Sequence, residues 1–160
     1  MADEPIDLEM MNAALRDFVP HNAALGITLV GATYTPATVT VKMPWNSQLV
    51  GNPETQVMHG GAITTMLDAT AGASVFVRLK QPAPIATLDL RVDFLGRAPA
   101  HQDVFARAEC YHHTASVAFV RAVAYVESPE APFATATATF ALSTRGRAIT
   151  EEDVRKGLKA

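Results

Sequence analysis

Three kinds of hydrophobic spacing follow one another along the chain. Apolar side chains at Ile6, Met10, Met11, Ala14, Leu15 and Phe18 recur at helical intervals and Pro20 closes the run, which predicts an amphipathic helix over about 6–19. Residues 25–34 and 37–43 are rich in β-branched side chains and are divided by Thr35-Pro36; they predict a hairpin. Residues 46–56, with Gly51, Asn52 and Pro53, predict a loop that leads into His59-Gly60-Gly61. From 61 to about 78 the chain is apolar on most sides and rich in alanine, the pattern of a buried helix. After Pro84 the period drops to two: Leu88, Leu90, Val92 and Phe94 alternate with Thr87, Asp89, Arg91 and Asp93, a strand with one wet face. Three similar runs follow at 103–112, 116–127 and 133–143, and their short connections predict antiparallel neighbours.

The order helix, two strands, long helix, four strands implies an α+β fold in which an antiparallel sheet curls around one central helix. At 160 residues and 49% hydrophobic content the chain is expected to form a single domain over 1–160, with a surface tail at about 144–160. The formal net charge of −3 comes without a run of Lys or Arg, so no nucleic-acid partner is expected. Asp68, the threonines, Gly72 and Ser74 argue against a membrane span in the central helix. The acidic start has no long apolar run behind it, which argues against a secretory signal and makes the cytoplasm the expected location. Cys110 is the single cysteine, which rules out an internal disulfide and reads as a small buried filler. His21, His59, His101, His112 and His113 show no metal-ligand spacing. Neither a metal nor a cofactor is implied.

The candidate chemistry sits in 58–68, Met-His-Gly-Gly-Ala-Ile-Thr-Thr-Met-Leu-Asp. A helix mouth presents N–H groups without intrahelical partners and the positive end of the macrodipole, so Gly61 can hold a developing oxyanion. Gly60 and Gly61 leave room for a ligand to approach the backbone. Asp68 supplies the base or nucleophile that the mouth lacks. The two are seven positions apart, roughly 10 Å along one helix axis, too far to act on one carbonyl carbon. A two-fold dimer with antiparallel central helices brings Gly61 of one subunit to Asp68 of the other, which predicts shared active sites.

The His59-Gly60-Gly61 turn, the aspartate nine positions after the histidine, Leu49-Val50-Gly51-Asn52-Pro53 before it and the strand 87–95 after it together resemble the hotdog-fold acyl-CoA thioesterases of the phenylacetyl-CoA thioesterase-like (PaaI) branch, over roughly 19–143. The resemblance implies a hotdog sheet, homodimers with a continuous sheet and often homotetramers. It implies that Gly61 polarises the thioester carbonyl, that His59 shapes the turn or binds, that Asp68 of the facing subunit is general base or nucleophile, and that the Thr87 hydroxyl holds the water. A polar side chain before the histidine belongs to the pattern, which points to Asn52 or Gln56. Thr65 lies on the small, partly polar strip beside Asp68 and is expected, with Gly60, to border the substrate. The expected activity is hydrolysis of acyl-CoA thioesters. The alternatives are a non-catalytic acyl-CoA-binding module and a hotdog enoyl-CoA hydratase or dehydratase, although the Asp-x-Asn-x-x-His pattern of the latter is missing from the sequence. Trp45, Phe76, Phe94, Phe119, Phe140 and the methionines can line an acyl pocket or simply build core. Aryl, medium-chain and dicarboxylic acyl groups all stay open.

Overall fold

Six antiparallel strands form one sheet in the order β1-β2-β6-β7-β8-β5. They span Thr28–Thr33 (β1), Thr38–Met43 (β2), Ile85–Phe94 (β5), Val104–His113 (β6), Val117–Tyr125 (β7) and Ala134–Leu142 (β8). The computed structural model describes residues 5–81, 83–142 and 152. Apart from Glu152, the expected tail at 144–160 lies outside the described residues.

The central helix α3, Gly60–Leu79, lies against β6, β2 and β7, with β5 and β8 along its flank. Small side chains explain how it seats so deeply. The helix-facing positions of the middle strands are Ala106, Ala108 and Cys110 on β6, Ala118, Val120, Ala122 and Ala124 on β7, and Ala134, Ala136 and Ala138 on β8, all buried. A floor of methyl groups lets the larger Ile63, Met66 and Leu67 of the helix interdigitate at crystal-like density. Cys110 belongs to that floor as expected, and burial pushes its thiol pKa up. The antiparallel sheet and its long packed helix are the hotdog fold that the sequence predicts.

Three expectations change in detail. The N-terminal helix is not continuous over 6–19. It is α1, Leu8–Asn12, followed by a wider π turn over Ala13–Asp17, and Pro20 opens a second short helix, α2, Pro20–Ala24. Proline has no N–H to lose at a first helical position, so it starts α2 as readily as it stops the turn before. The loop at 46–56 holds a turn of 3-10 helix at Ser47–Leu49 and a small ribbon made of β3, Val50–Asn52, and β4, Val57–Met58.

The third change concerns the strand after the helix. The register of β5 on β8 slips between Thr87 and Asp89, so Leu88 is an extra residue. A one-residue slip swaps faces. Thr87 therefore lies on the helix side with Leu90, Val92 and Phe94, opposite Phe140, Ala138, Ala136 and Ala134. Leu88, expected inside, is 61% exposed.

Candidate functional site

The approach to α3 is fixed from a distance by Trp45. Its backbone N–H donates to Asp103 Oδ1 at 3.0 Å and its indole N–H to the Gln56 carbonyl at 3.1 Å. Lys42 binds the other Asp103 oxygen at 2.7 Å, and these two donors hold the carboxyl below its usual pKa range. The ribbon then closes onto the helix: His59 N–H donates to the Leu49 carbonyl at 2.7 Å. Gly51 lies against the same histidine, and a Cβ there would stand 2.9 Å from His59 Cα. Only glycine allows the ribbon to press so closely on the helix entrance.

His59 is the N-cap of α3, with extended backbone and Nδ1 accepting the Gly61 N–H at 2.9 Å. Since Nδ1 accepts, the neutral ring carries its proton on Nε2, which makes that nitrogen a donor. Gly60 is half-buried, while His59 and Gly61 are exposed. The Thr64 and Thr65 hydroxyls each donate at 3.0 Å to the carbonyls of Gly60 and Gly61, so their protons are spent inside the first turns.

About two turns further along, Asp68 emerges half-buried on the side of the helix that meets β5. Thr87 Oγ1 donates to Asp68 Oδ1 at 2.9 Å. This pair depends on the bulge, because in a regular strand that kept Leu90 and Val92 inward Thr87 would point away from the helix. The threonine thus holds one carboxylate oxygen, and a carboxylate has acceptor capacity to spare on the other.

Asn52 and Gln56 are occupied in the turn of the ribbon. Asn52 Oδ1 accepts from the backbone N–H groups of Glu54 and Thr55 at 2.8 and 3.3 Å, and Gln56 Nε2 donates to the Pro53 carbonyl at 2.6 Å. The structure therefore gathers the expected residues into two groups, His59 with Gly60 and Gly61 at the mouth, and Asp68 with Thr87 along the flank. It adds Phe94 to the first group. A Cβ on Gly60 would lie 3.3 Å from Phe94 Cζ. In the sequence Phe94 is one of several large apolar side chains that can line an acyl pocket or build core, and its place beside Gly60 singles it out.

The fold that carries these residues is met in known proteins. The model of the thioesterase superfamily matches residues 55–132, which include both groups. A protein of Pseudomonas aeruginosa of known structure is 38% identical, with 84% of this chain and 97% of that one covered and a TM-score of 0.74. A thioesterase family protein from Silicibacter pomeroyi, 24% identical over 84% of this chain and 96% of that one, has a TM-score of 0.71. A variant of the phenylacetic acid degradation protein PaaI from Thermus thermophilus, 21% identical over 77% and 98%, gives 0.66. At that identity the last two establish the shared fold. No curated protein matches the sequence. The chain belongs to the thioesterase superfamily. Among the described residues no helix is long and apolar enough to cross a membrane.

Proposed function

We propose that this protein hydrolyses acyl-CoA thioesters, with each active site shared between two subunits of a homodimer. The observation that carries the reading is the Thr87 to Asp68 hydrogen bond at 2.9 Å. A solvated helix aspartate has no need of a bulged strand to bring a hydroxyl to it. With Oδ1 held by Thr87, the second oxygen of Asp68 faces a water molecule and takes its proton as the water oxygen attacks the thioester carbonyl carbon. The tetrahedral oxyanion then collapses, the C–S bond breaks and the CoA sulfur leaves, taking up the proton that Asp68 holds and restoring the carboxylate. Free acid and CoA result, with no metal or cofactor entering any step.

The oxyanion is received at the helix mouth of the other subunit. In the protomer His59 Nδ1 accepts the Gly61 N–H. An uncharged carbonyl oxygen competes weakly with an imidazole for that proton, whereas an oxyanion forms a charge-assisted bond about twice as strong. The exchange thus favours the transition state over bound substrate, which is how binding accelerates chemistry. The displaced imidazole offers its Nε2 proton to substrate.

The test is release of free thiol from a panel of acyl-CoAs by the wild type, Asp68→Ala and Asp68→Asn, with size-exclusion chromatography to check assembly. Turnover should fall by roughly 10² to 10⁴ in both assembled variants. Equal turnover by wild type and variants, or none by the wild type on any acyl-CoA, would refute the assignment. Enoyl-CoA hydration by the same protein would favour the hydratase alternative instead.

A further inference from the structure

An aromatic ring stands at the helix mouth that the hydrolytic steps do not use. A Cβ placed on Gly60 would lie 3.3 Å from Phe94 Cζ and 3.8 Å from each Cε. The equal outer distances put that Cβ on the midline of the ring, and their size places it over one ring face near the Cζ tip, so the tip of the ring covers Gly60. It is not core: Phe94 is 49% exposed and its neighbour Leu95 64%. It shares the helix face of β5 with Thr87 because of the bulge at Leu88.

We propose that Phe94 sets the acyl specificity of this enzyme, forming the wall against which an uncharged, apolar acyl group packs. The inference rests on the thioesterase reading above. A carbonyl oxygen bound by the Gly61 N–H lies about 3 Å from that nitrogen, and Gly60 is the adjoining residue. The substituents on the carbonyl carbon therefore fall within van der Waals reach of the ring at Gly60. One of those substituents is the thioester sulfur, which leads after two carbons to an amide of the CoA arm. Pressing that amide on a ring would desolvate it without a partner. The acyl chain carries no such penalty and gains buried area. A dicarboxylic acyl group is disfavoured on the same grounds, and it would also bring a second carboxylate into the site that holds Asp68.

The experiment compares kcat and KM for acetyl-, hexanoyl-, phenylacetyl- and succinyl-CoA in the wild type, Phe94→Ala and Phe94→Leu, with the same acyl groups on N-acetylcysteamine as a truncated carrier. The wild type should prefer hexanoyl- and phenylacetyl- over succinyl-CoA. In Phe94→Ala, kcat/KM should drop about 10- to 100-fold for hexanoyl- and phenylacetyl-CoA and less than about threefold for acetyl-CoA. Phe94→Leu should restore most of the loss for hexanoyl and little for phenylacetyl. An equal loss on every acyl group, no loss on any, or a loss that tracks the carrier rather than the acyl group would overturn the proposal while leaving the thioesterase reading intact. No turnover by the wild type on any of these would end both.

Discussion

At the scale of single residues the mouth of α3 is built around the space that glycine leaves. A Cβ on Gly61 would stand 2.9 Å from His59 Nδ1, closer than real Cβ atoms come to a nitrogen, so the imidazole has to leave its cap. Gly61→Ala keeps the backbone N–H but crowds the place that an oxyanion takes. Loss of the N-cap costs about 1 kcal/mol, and replacing glycine by alanine in a helix returns a similar amount. The expected outcome is a melting temperature close to that of the wild type with kcat/KM down about 10²-fold, the cost of one oxyanion donor. A full-rate Gly61→Ala enzyme would show that no oxyanion sits where the added methyl group stands. The motif at 58–68 makes the helix mouth at His59 and Gly61 and the position of Asp68 on the same helix legible in the sequence, because helix-mouth geometry depends on local spacing. Asn52 and Gln56 were harder to judge: their side chains serve the ribbon turn, a destination that depends on β3 and β4, which the turn-forming composition concealed.

At the scale of elements, period and turn residues predicted the six strands and the central helix, and they failed where a strand changes phase. Leu88 to Phe94 reads as clean alternation, which predicts Thr87 on the wet side. The slip that brings it to Asp68 is a pairing event between β5 and β8, and nothing in β5 alone encodes it. A bulge also matters at the far edge of the sheet. The register of β1 on β2 slips between Leu29 and Gly31, and there the Asn12 side chain takes the part of a neighbouring strand. Its Nδ2 donates to the Leu29 carbonyl at 2.9 Å and its Oδ1 accepts the Leu29 N–H at 2.7 Å. Asn12 thus pairs the open edge of β1 and ties α1 to the sheet. Asn12→Ala should lower stability by about 1–2 kcal/mol, the worth of two such bonds, read as a fall of several degrees in melting temperature. Asn12→Asp keeps the acceptor and loses the donor, and should fall between. An unchanged melting temperature in both would mean that water replaces the amide at no cost.

At the scale of the whole molecule the two proposed reacting groups lie on one helix, and that geometry decides how many chains the proposed site needs. Gly61 and Asp68 stand roughly 10 Å apart along the axis of α3, and no movement within the helix shortens this. Each protomer also leaves His59, Gly61 and Thr87 exposed, an open strip where hydrolysis requires a bounded pocket. The sequence carried this argument without any structure, since it needs only a count of residues and a helical rise. Shared sites have a consequence that sites within one chain lack. When Gly61→Val, which blocks the mouth, and Asp68→Ala, which removes the carboxylate, are each inactive, a mixed dimer holds one site with both defects and one with neither. Unfolding and refolding the two variants together at equal amounts gives half mixed dimers, so about a quarter of wild-type activity should return. Two sites complete within single subunits would stay dead in every combination. Recovery near a quarter would place Gly61 and Asp68 on opposite sides of the same carbonyl, and its absence would return the search to a base within reach of Gly61 on its own chain.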